Sequence, residues 1–212
     1  MFNSFRNAAV LTILALLVCS IAGYGFEIYH DKGKDIVMTI LLMAMMIPFA
    51  AIMIPLFRMF SSMKLINTMT AVMLPSISTP FLIMMFRQSA RSFPHDMIEA
   101  ARMDGLSEIG IFFRMFMPTM RSTYAAAMTI TFMNAWNNYL WPKVILKTNE
   151  SITMPMLVAN LLGGYSVDYG MLMLGVFICT IPTAIVFFCL QKSFRGRYYR
   201  ICKIKITVQM TE

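Results

Sequence analysis

Charged residues are scarce in this sequence. Only 13% of its 212 residues are charged, whereas 58% are hydrophobic; a soluble domain carries about 25% charged residues. So few polar side chains cannot cover the surface of a soluble globule of this size. The hydrophobic residues also come in blocks of about 20, the length of helix that crosses a bilayer. The sequence therefore predicts an all-α polytopic membrane protein.

The sequence also has little that could bind a metal or a cofactor. Its two histidines, His30 and His95, are far apart, and its four cysteines show no CxxC spacing. There is no glycine-rich phosphate loop of the GxxxxGK[ST] form. We therefore expect no metal site and no cofactor, and the chain itself cannot be an ATPase. A membrane-embedded enzyme is disfavoured because no cluster of ionisable residues lies within an apolar block.

Five apolar blocks predict about five transmembrane helices. They cover residues 8–26, 36–57, 67–86, 122–141 and 170–190. Prolines interrupt the second and third blocks, but membrane helices tolerate such kinks because neighbouring helices and water can satisfy the freed carbonyl groups. A long polar segment, residues 87–121, separates the third block from the fourth. A basic tail, residues 195–212, follows the fifth.

The positive charges fall mainly on one set of alternate connections. Thirteen of the 18 basic residues lie in residues 27–35, in residues 87–121 or after residue 190. The positive-inside rule therefore predicts that the 87–121 segment and the tail are cytoplasmic. Topology then explains the formal net charge of +8, and we expect no nucleic-acid partner.

Residues 87–121 have the pattern of two short helices joined at an angle. Pro94 can occupy a first helical turn, and His95–Met103 follows as a helix. Gly105 can end that helix in a left-handed conformation. A second amphipathic piece follows, and Pro118 ends the segment. This shape suits the docking of another protein, although an amphipathic loop lying on the membrane surface would show the same pattern.

The centre of this segment carries a motif. The run Glu99-Ala100-Ala101-Arg102-Met103-Asp104-Gly105, followed by Met117-Pro118, resembles the EAA loop of ABC importer permeases, in the form typical of the carbohydrate-uptake, maltose-type branch. Other stretches agree with this resemblance: Ile47-Pro48, Asn67-Thr68, Trp136-Asn137-Asn138-Tyr139 and Ile181-Pro182. The resemblance extends over about residues 3–194, nearly the whole chain.

The resemblance implies a function and a set of partners. In that family the EAA loop, here residues 87–121, docks in a cleft of a cytoplasmic ATPase subunit and couples ATP hydrolysis to transport. Coupling is thereby assigned to Glu99, Ala100, Ala101, Asp104, Gly105 and Pro118. The expected protein spans the bacterial plasma membrane and forms half of a pore. Its expected partners are a second homologous permease, an ATPase dimer and an extracytoplasmic sugar-binding protein.

A polar and aromatic cluster lies in the fourth block and consists of Asn134, Trp136, Asn137 and Asn138. In the translocation path, it could supply hydrogen bonds and a stacking face for a sugar. Alternatively, these residues could form hydrogen bonds between helices, with Tyr139 and Trp141 in an interfacial aromatic belt. The connection after this cluster, residues 143–169, is expected to be external. In relatives this region meets the binding protein.

Two further interpretations stay open. One is a permease of the same class for amino acids or peptides, although the long motif and the Trp136 cluster disfavour it. The other is an inert fragment, because family members usually have six spans and a glycine-rich ending. This sequence opens on what resembles the family's second span, so we expect an N-terminal truncation relative to the family.

Overall fold

The computed structural model describes residues 1–29, 31–148, 151–163 and 168–209, except for the side chains of residues 192–209. Within these residues the chain consists of helices and turns without a β-strand, so the predicted all-α fold is confirmed. The helices are α1 (Phe2–Ile28), α2 (Lys32–Ala44), α3 (Phe49–Ser62), α4 (Met69–Ile77), α5 (Pro80–Ala90), α6 (His95–Met103), α7 (Glu108–Ile111), α8 (Met117–Thr119), α9 (Arg121–Trp136), α10 (Leu140–Ile145), α11 (Met154–Asn160) and α12 (Tyr169–Gln209). A π-helical turn, Phe112–Phe116, connects α7 to α8.

Helix α1 is the centre of the bundle. It packs against α4, α5 and α9, while α12 packs against α9 and α11. Small residues on the buried face of α1, among them Ala8, Ala15 and Gly23, let the neighbouring helices approach closely. The approach is closest at Gly23, where an added Cβ would lie 2.6 Å from the Cβ of Phe86 in α5. The crossing of α1 and α5 therefore requires glycine at this position.

Prolines mark two bends in the bundle. Helices α2 and α3 meet at 102°, and α4 and α5 meet at 43°. A proline disfavours the helical conformation of the residue before it. At each bend a proline begins the second helix: Pro48 is the N-cap of α3, and Pro80 lies in the first turn of α5. Pro55 and Pro75 lie inside helices instead. The bends thus follow from the positions of two of these four prolines.

Two of the described helices are long and apolar enough to cross a membrane. They are α1, with a mean hydropathy of 2.2, and Tyr169–Gln191 of α12, with a mean hydropathy of 2.4. The number rises to four if each bent pair, α2 with α3 and α4 with α5, is one span. The fourth predicted block contains α9, whose 16 residues rise about 24 Å.

Helix α12 extends the last apolar block. It continues to Gln209, so most of the residues predicted as a basic tail are helical. Of the predicted external connection, residues 149–150 and 164–167 lie outside the described residues.

Long-range hydrogen bonds define two opposite ends of the bundle. At the first end, which we call the Asn67 end, Asn67 Oδ1 accepts a hydrogen bond from the backbone N–H of Lys147 at 2.9 Å. At this end Ser4 Oγ also accepts one from the backbone N–H of Met154 at 2.7 Å. The second end, which we call the Arg87 end, contains the C-termini of α1 and α5 and the whole of α6 and α7. It positions the site described next.

Candidate functional site

Helix α6 begins and ends where the local sequence predicts. Pro94 is its N-cap, in an extended backbone conformation. After the helix, Gly105 has a φ of +78°. The N–H of Gly105 donates to the carbonyl of Arg102, and the N–H of Leu106 donates to the carbonyl of Ala101; this pair of bonds is the Schellman arrangement. A side chain with a Cβ would be strained at this φ, so Gly105 fixes the turn after α6.

One face of α6 is exposed. We call it the exposed α6 face, and it consists of Asp96, Glu99, Ala100 and Met103. The opposite face buries Ile98 and Ala101, which are 1% and 2% exposed. Residues three and four positions apart share a side of a helix, which explains the division. Among the predicted coupling residues, Glu99 and Ala100 thus face outward, whereas Ala101 packs against the bundle.

The two remaining predicted coupling residues have different positions. Asp104 is the exposed C-cap of α6 and adjoins the exposed α6 face. Pro118 lies in the first turn of α8 and is also exposed. The fold therefore brings Glu99, Ala100 and Asp104 to one region of the surface and leaves Pro118 on a separate helix.

A buried aromatic cluster fixes the inner face of α6 to the bundle. Ile98 and Ala101 belong to this cluster, as do Tyr24 of α1 and the residues Phe93 and Phe116. The ring of Phe116 lies edge-on to Tyr24, with centroids 4.9 Å apart, and edge-on to Phe93 at 5.7 Å; this is a preferred geometry for aromatic pairs. The π-helical turn contributes Phe116, and such turns are frequent at functional sites. Helix α6 is therefore joined to α1 through the aromatic residues of this cluster.

A polar clamp of Tyr29, Arg102 and Glu108 joins α6 and α7 to the end of α1. Arg102 Nε donates to Glu108 Oε1 at 2.7 Å, and the Tyr29 hydroxyl donates to the same carboxylate. The bond from Arg102, and after it the bond from Tyr29, hold the pKa of Glu108 below its usual value. The negative charge of Glu108 is thus stabilised by the two groups that the clamp connects to it.

The lowered pKa of Glu108 predicts that acid loosens the clamp. A carboxylate with a lowered folded-state pKa contributes stability above its ordinary pKa, and that contribution is lost as the pH falls through the folded-state value. Below the ordinary range of glutamate, we expect the amides of residues 105–110 to exchange hydrogen about twofold faster, after correction for the intrinsic pH dependence. Hydrogen exchange of the protein in lipid nanodiscs measures this. Glu108→Gln serves as the control, and an equally strong acid effect in that variant would contradict the assignment.

Arg87 is the centre of an ionic cluster that the sequence pattern did not predict. Its side chain is 6% exposed; its Nε donates to Glu27 Oε2 at 3.0 Å, and its Nη2 donates to Asp35 Oδ1 at 2.5 Å. Arg91 Nε donates to the other oxygen of Glu27 at 3.2 Å. The cluster joins α1, α2 and α5. Glu27, Asp35 and Arg87 each lie one residue outside a predicted span, and the available signal was that opposite charges flank consecutive spans.

The predicted translocation cluster divides between two environments. Asn134 and Asn138 line a cavity of about 580 Å³ between α1, the bend of α4 and α5, and α9. Trp136, in contrast, is 1% exposed, and its Nε1 donates to the carbonyl of Cys179 in α12 at 2.9 Å. Asn137 is the exposed C-cap of α9 and does not line the cavity. The two asparagines therefore face open space, and the tryptophan joins α9 to α12.

Trp141 is buried as well. It is 1% exposed, and its Nε1 donates to the carbonyl of Ala71 at 2.9 Å. Its ring lies edge-on to Phe60, with centroids 5.7 Å apart. Trp141 thus packs α10 against α3 and α4 at the Asn67 end, and it is not part of an exposed aromatic belt.

The ionisable residues of the described part of the chain are not arranged for metal binding. No group of three or more His, Cys, Asp or Glu side chains in that part could hold a metal ion. The carboxylates of Glu27 and Glu108 are paired with arginines instead. These ion pairs connect helices, which suits the transmission of movement from one helix to another.

The chain matches a known protein family. A family model described as "Binding-protein-dependent transport system inner membrane component" matches residues 15–198. The chain is 48% identical over 193 residues to the lactose transport system permease protein of Rhizobium radiobacter. These aligned residues make up 91% of this chain and 71% of that protein. It is 38% identical to the arabinooligosaccharides transport system permease protein of Bacillus subtilis, over 91% of this chain and 69% of that protein.

Solved structures of ABC transporters have a similar fold. A bacterial ABC transporter involved in the import of the acidic polysaccharide alginate has a chain that matches with a TM-score of 0.75 at 21% identity, covering 91% of this chain and 75% of that chain. The methionine ABC transporter in an inward-facing conformation matches with a TM-score of 0.68 at 15% identity, covering 92% and 93%. At these identities the likeness concerns the fold alone.

Proposed function

Since this chain belongs to the family of binding-protein-dependent transport system inner membrane components, we propose that it forms half of the membrane pore of an ATP-driven sugar importer. The chain is a transport subunit of the inner membrane. Hydrolysis of ATP takes place on a separate ATPase dimer, and a second homologous permease supplies the other half of the pore. An extracytoplasmic binding protein delivers the sugar.

The names of the relatives support sugars as the transported class. Two relatives above 30% identity are named for the transport of lactose and of arabinooligosaccharides. A relative named for sn-glycerol-3-phosphate transport, from Pectobacterium atrosepticum, is 24% identical over 92% of this chain and 70% of that protein. The likeness to the methionine transporter is at 15% identity and gives no support to an amino acid as the cargo.

The geometry of α6 is the observation that carries the coupling role. Its exposed face presents Glu99, Ala100 and Met103 to a partner, while Ile98 and Ala101 are packed into the aromatic cluster. A small residue such as Ala100 allows a partner surface to approach closely. Movement of the docked ATPase is then transmitted to α1 through the cluster and the clamp. Interfaces that are bistable and tightly packed carry such movements as rigid-body shifts.

The charge distribution supports the orientation of the subunit. The connections at the Arg87 end, residues 27–35 and 87–121, contain seven basic residues, whereas the connections 58–66 and 143–169 contain four, so the positive-inside rule assigns the Arg87 end to the cytoplasm. The ATPase then docks at α6, and the Asn67 end faces the binding protein. On this assignment, Lys147 and Met154, which are hydrogen bonded at the Asn67 end, lie close to the surface where the sugar is delivered.

We predict that Ala100→Trp disrupts docking of the ATPase. The indole would occupy the space into which the partner fits, and residues at the centre of an interface carry most of its binding energy. When the tagged chain is purified from cells that also produce its ATPase and its partner permease, we expect at least about tenfold less ATPase to be recovered. The readout is the molar ratio of ATPase to tagged chain in the purified complex.

The matched control is the same substitution at Ala50, an exposed alanine of α3. Ala50→Trp should recover as much ATPase as the unchanged chain, which shows that an added indole alone does not disturb assembly. If Ala100→Trp also recovers the full amount while its yield and monodispersity are normal, α6 is not the docking element.

A further inference from the structure

The connections at the two ends of the bundle differ in net charge. At the Arg87 end, residues 27–35 and 87–121 contain seven basic and seven acidic residues, so their formal net charge is zero. At the Asn67 end, residues 58–68 and 139–148 contain four basic residues and no acidic one, so their formal net charge is +4. The positive-inside rule depends on basic residues, whereas the field outside a surface depends on charges of both signs. These connections therefore make the Asn67 end the more positive one, although it has fewer basic residues.

Four exposed side chains supply the positive charge at the Asn67 end. We call them the basic patch, and they are Arg58, Lys64, Lys143 and Lys147. The ion pairs found among the described side chains belong to the Arg87 end, and none of the four takes part in one. The first acidic residue after the patch, Glu150, lies outside the described residues. A surface of one sign attracts a partner surface of the opposite sign and raises the rate of encounter.

Packing brings the two segments of the basic patch together. Asn67 Oδ1 accepts a hydrogen bond from the backbone N–H of Lys147 at 2.9 Å, and the backbone N–H of Asn67 donates to the carbonyl of Ile145 at 2.9 Å. The Nζ of Lys147 lies 5.9 Å from the centroid of the Phe57 ring, and Arg58 is the next residue of α3. The end of α3 and the turn that follows it are thus fixed beside the end of α10.

The turn after α3 has a defined and unusual backbone. Lys64 and Asn67 have φ values of +56° and +62°, which are uncommon for residues other than glycine and persist only where the surrounding structure holds them. Here the N–H of Leu65 donates to the carbonyl of Phe60 at 3.0 Å, and Thr68 Oγ1 donates to the carbonyl of Leu65 at 2.6 Å. A charge pattern on so fixed a backbone suits a folded protein partner, because little ordering is needed on binding. Mobile lipid headgroups do not require it.

We propose that the basic patch docks an acidic face of the extracytoplasmic binding protein, and that its charge accelerates association more than it prolongs the complex. This proposal rests on the function proposed above, which assigns the Asn67 end to that partner. Exposed charges at an interface mainly change the association rate and its dependence on salt. The patch therefore acts before the sugar is released, at the step in which the loaded binding protein finds the importer.

The experiment measures association of the binding protein with the importer by surface plasmon resonance. The chain is assembled with its partner permease and ATPase in nanodiscs of phosphatidylcholine, and salt is varied from about 50 to about 500 mM, where screening shortens the reach of exposed charges. The double variant Lys64→Gln, Lys147→Gln removes two of the four charges and leaves the backbone bonds to Asn67 in place. At low salt we expect it to associate at least about threefold more slowly, and at high salt the rates should be equal. The dissociation rate should change by less than about twofold.

Two controls separate charge from structure. The double variant Lys64→Arg, Lys147→Arg keeps both charges at the same positions and should associate as fast as the unchanged chain. Lys32→Gln removes one exposed positive charge at the Arg87 end, on the other side of the membrane, and should also have no effect. A second set of nanodiscs contains phosphatidylglycerol, and the amount of this anionic lipid that purified importer retains is measured for each variant.

The outcomes distinguish docking from the alternatives. If the glutamine variant associates at the unchanged rate at low salt, or if the arginine variant is equally slow, the basic patch is not an electrostatic docking surface. If the glutamine variant associates normally but retains less phosphatidylglycerol, the patch binds lipid headgroups and the proposal is refuted. In each of these cases the unchanged importer still binds the binding protein and takes up sugar. If it does neither, the proposed function itself fails.

Discussion

Replacement of Arg87 by methionine should lower the free energy of unfolding by about 3 kcal/mol, which is the low end of the cost of breaking a buried ion pair. The variant removes the guanidinium and leaves the carboxylate of Glu27, whose side chain is only 14% exposed, without this partner between α1 and α5. The low end applies because Asp35 is 46% exposed and can be hydrated. Equilibrium unfolding of the chain in phospholipid–detergent bicelles measures the difference.

Arg91 provides the matched control for this prediction. It is bonded to the same carboxylate as Arg87, at 3.2 Å, but its side chain is 52% exposed. Exposed ion pairs contribute well under about 1 kcal/mol, so Arg91→Met should have only a small effect. Neutralisation of both carboxylates in the triple variant Arg87→Met, Glu27→Gln, Asp35→Asn should restore much of the lost stability. Equal losses from Arg87→Met and Arg91→Met would rule out a buried cluster.

Alanine at position 23 should destabilise the protein by about 2 kcal/mol, because overpacking forces neighbouring groups apart. The added Cβ would lie 2.6 Å from the Cβ of Phe86, 2.8 Å from the backbone nitrogen of Arg87 and 2.9 Å from the carbonyl oxygen of Ile83. Two of these three atoms are backbone, so the whole of α5 must move. The same unfolding measurement in bicelles applies.

Gly25 is the control for Gly23, two residues further along the same helix. An added Cβ at Gly25 meets nothing within 4 Å. Alanine has a higher helix propensity than glycine by up to about 1 kcal/mol, so Gly25→Ala should leave stability unchanged or raise it. If Gly23→Ala and Gly25→Ala have the same stability, α1 and α5 do not approach each other as closely as the structure indicates.

The sequence predicted the features of the 87–121 segment that depend on neighbouring residues. Pro94 before α6 and Gly105 after it act through local backbone preferences, and the helix has the predicted bounds. Proline positions similarly predicted kinked spans, and two of the prolines do follow bends. Composition was sufficient for the all-α membrane class, because the shortage of charged residues excludes a soluble fold.

The features that the sequence did not predict depend on contacts between distant residues. The Arg87 cluster joins residues 52 and 60 positions apart, and a pattern along the chain does not show which charges meet. The positions of Ser76 and Thr131 in the lining of the cavity beside α9 were missed for a related reason. Ser76 and Thr131 lie within apolar blocks, where a hydroxyl usually bonds to the preceding turn of its own helix, and only the packing shows that Thr131 does not.

The two tryptophans of this chain are both buried with their indole N–H groups bonded to backbone carbonyls, Trp136 to Cys179 and Trp141 to Ala71. Each indole is therefore shielded from water and reports on one helix junction through its fluorescence: Trp136 on α9 and α12, Trp141 on the Asn67 end. A chain in which one of them is phenylalanine would contain a single emitter. The native fold thus contains two built-in optical probes, through which movements of its two regions during a transport cycle could be followed separately without an attached dye.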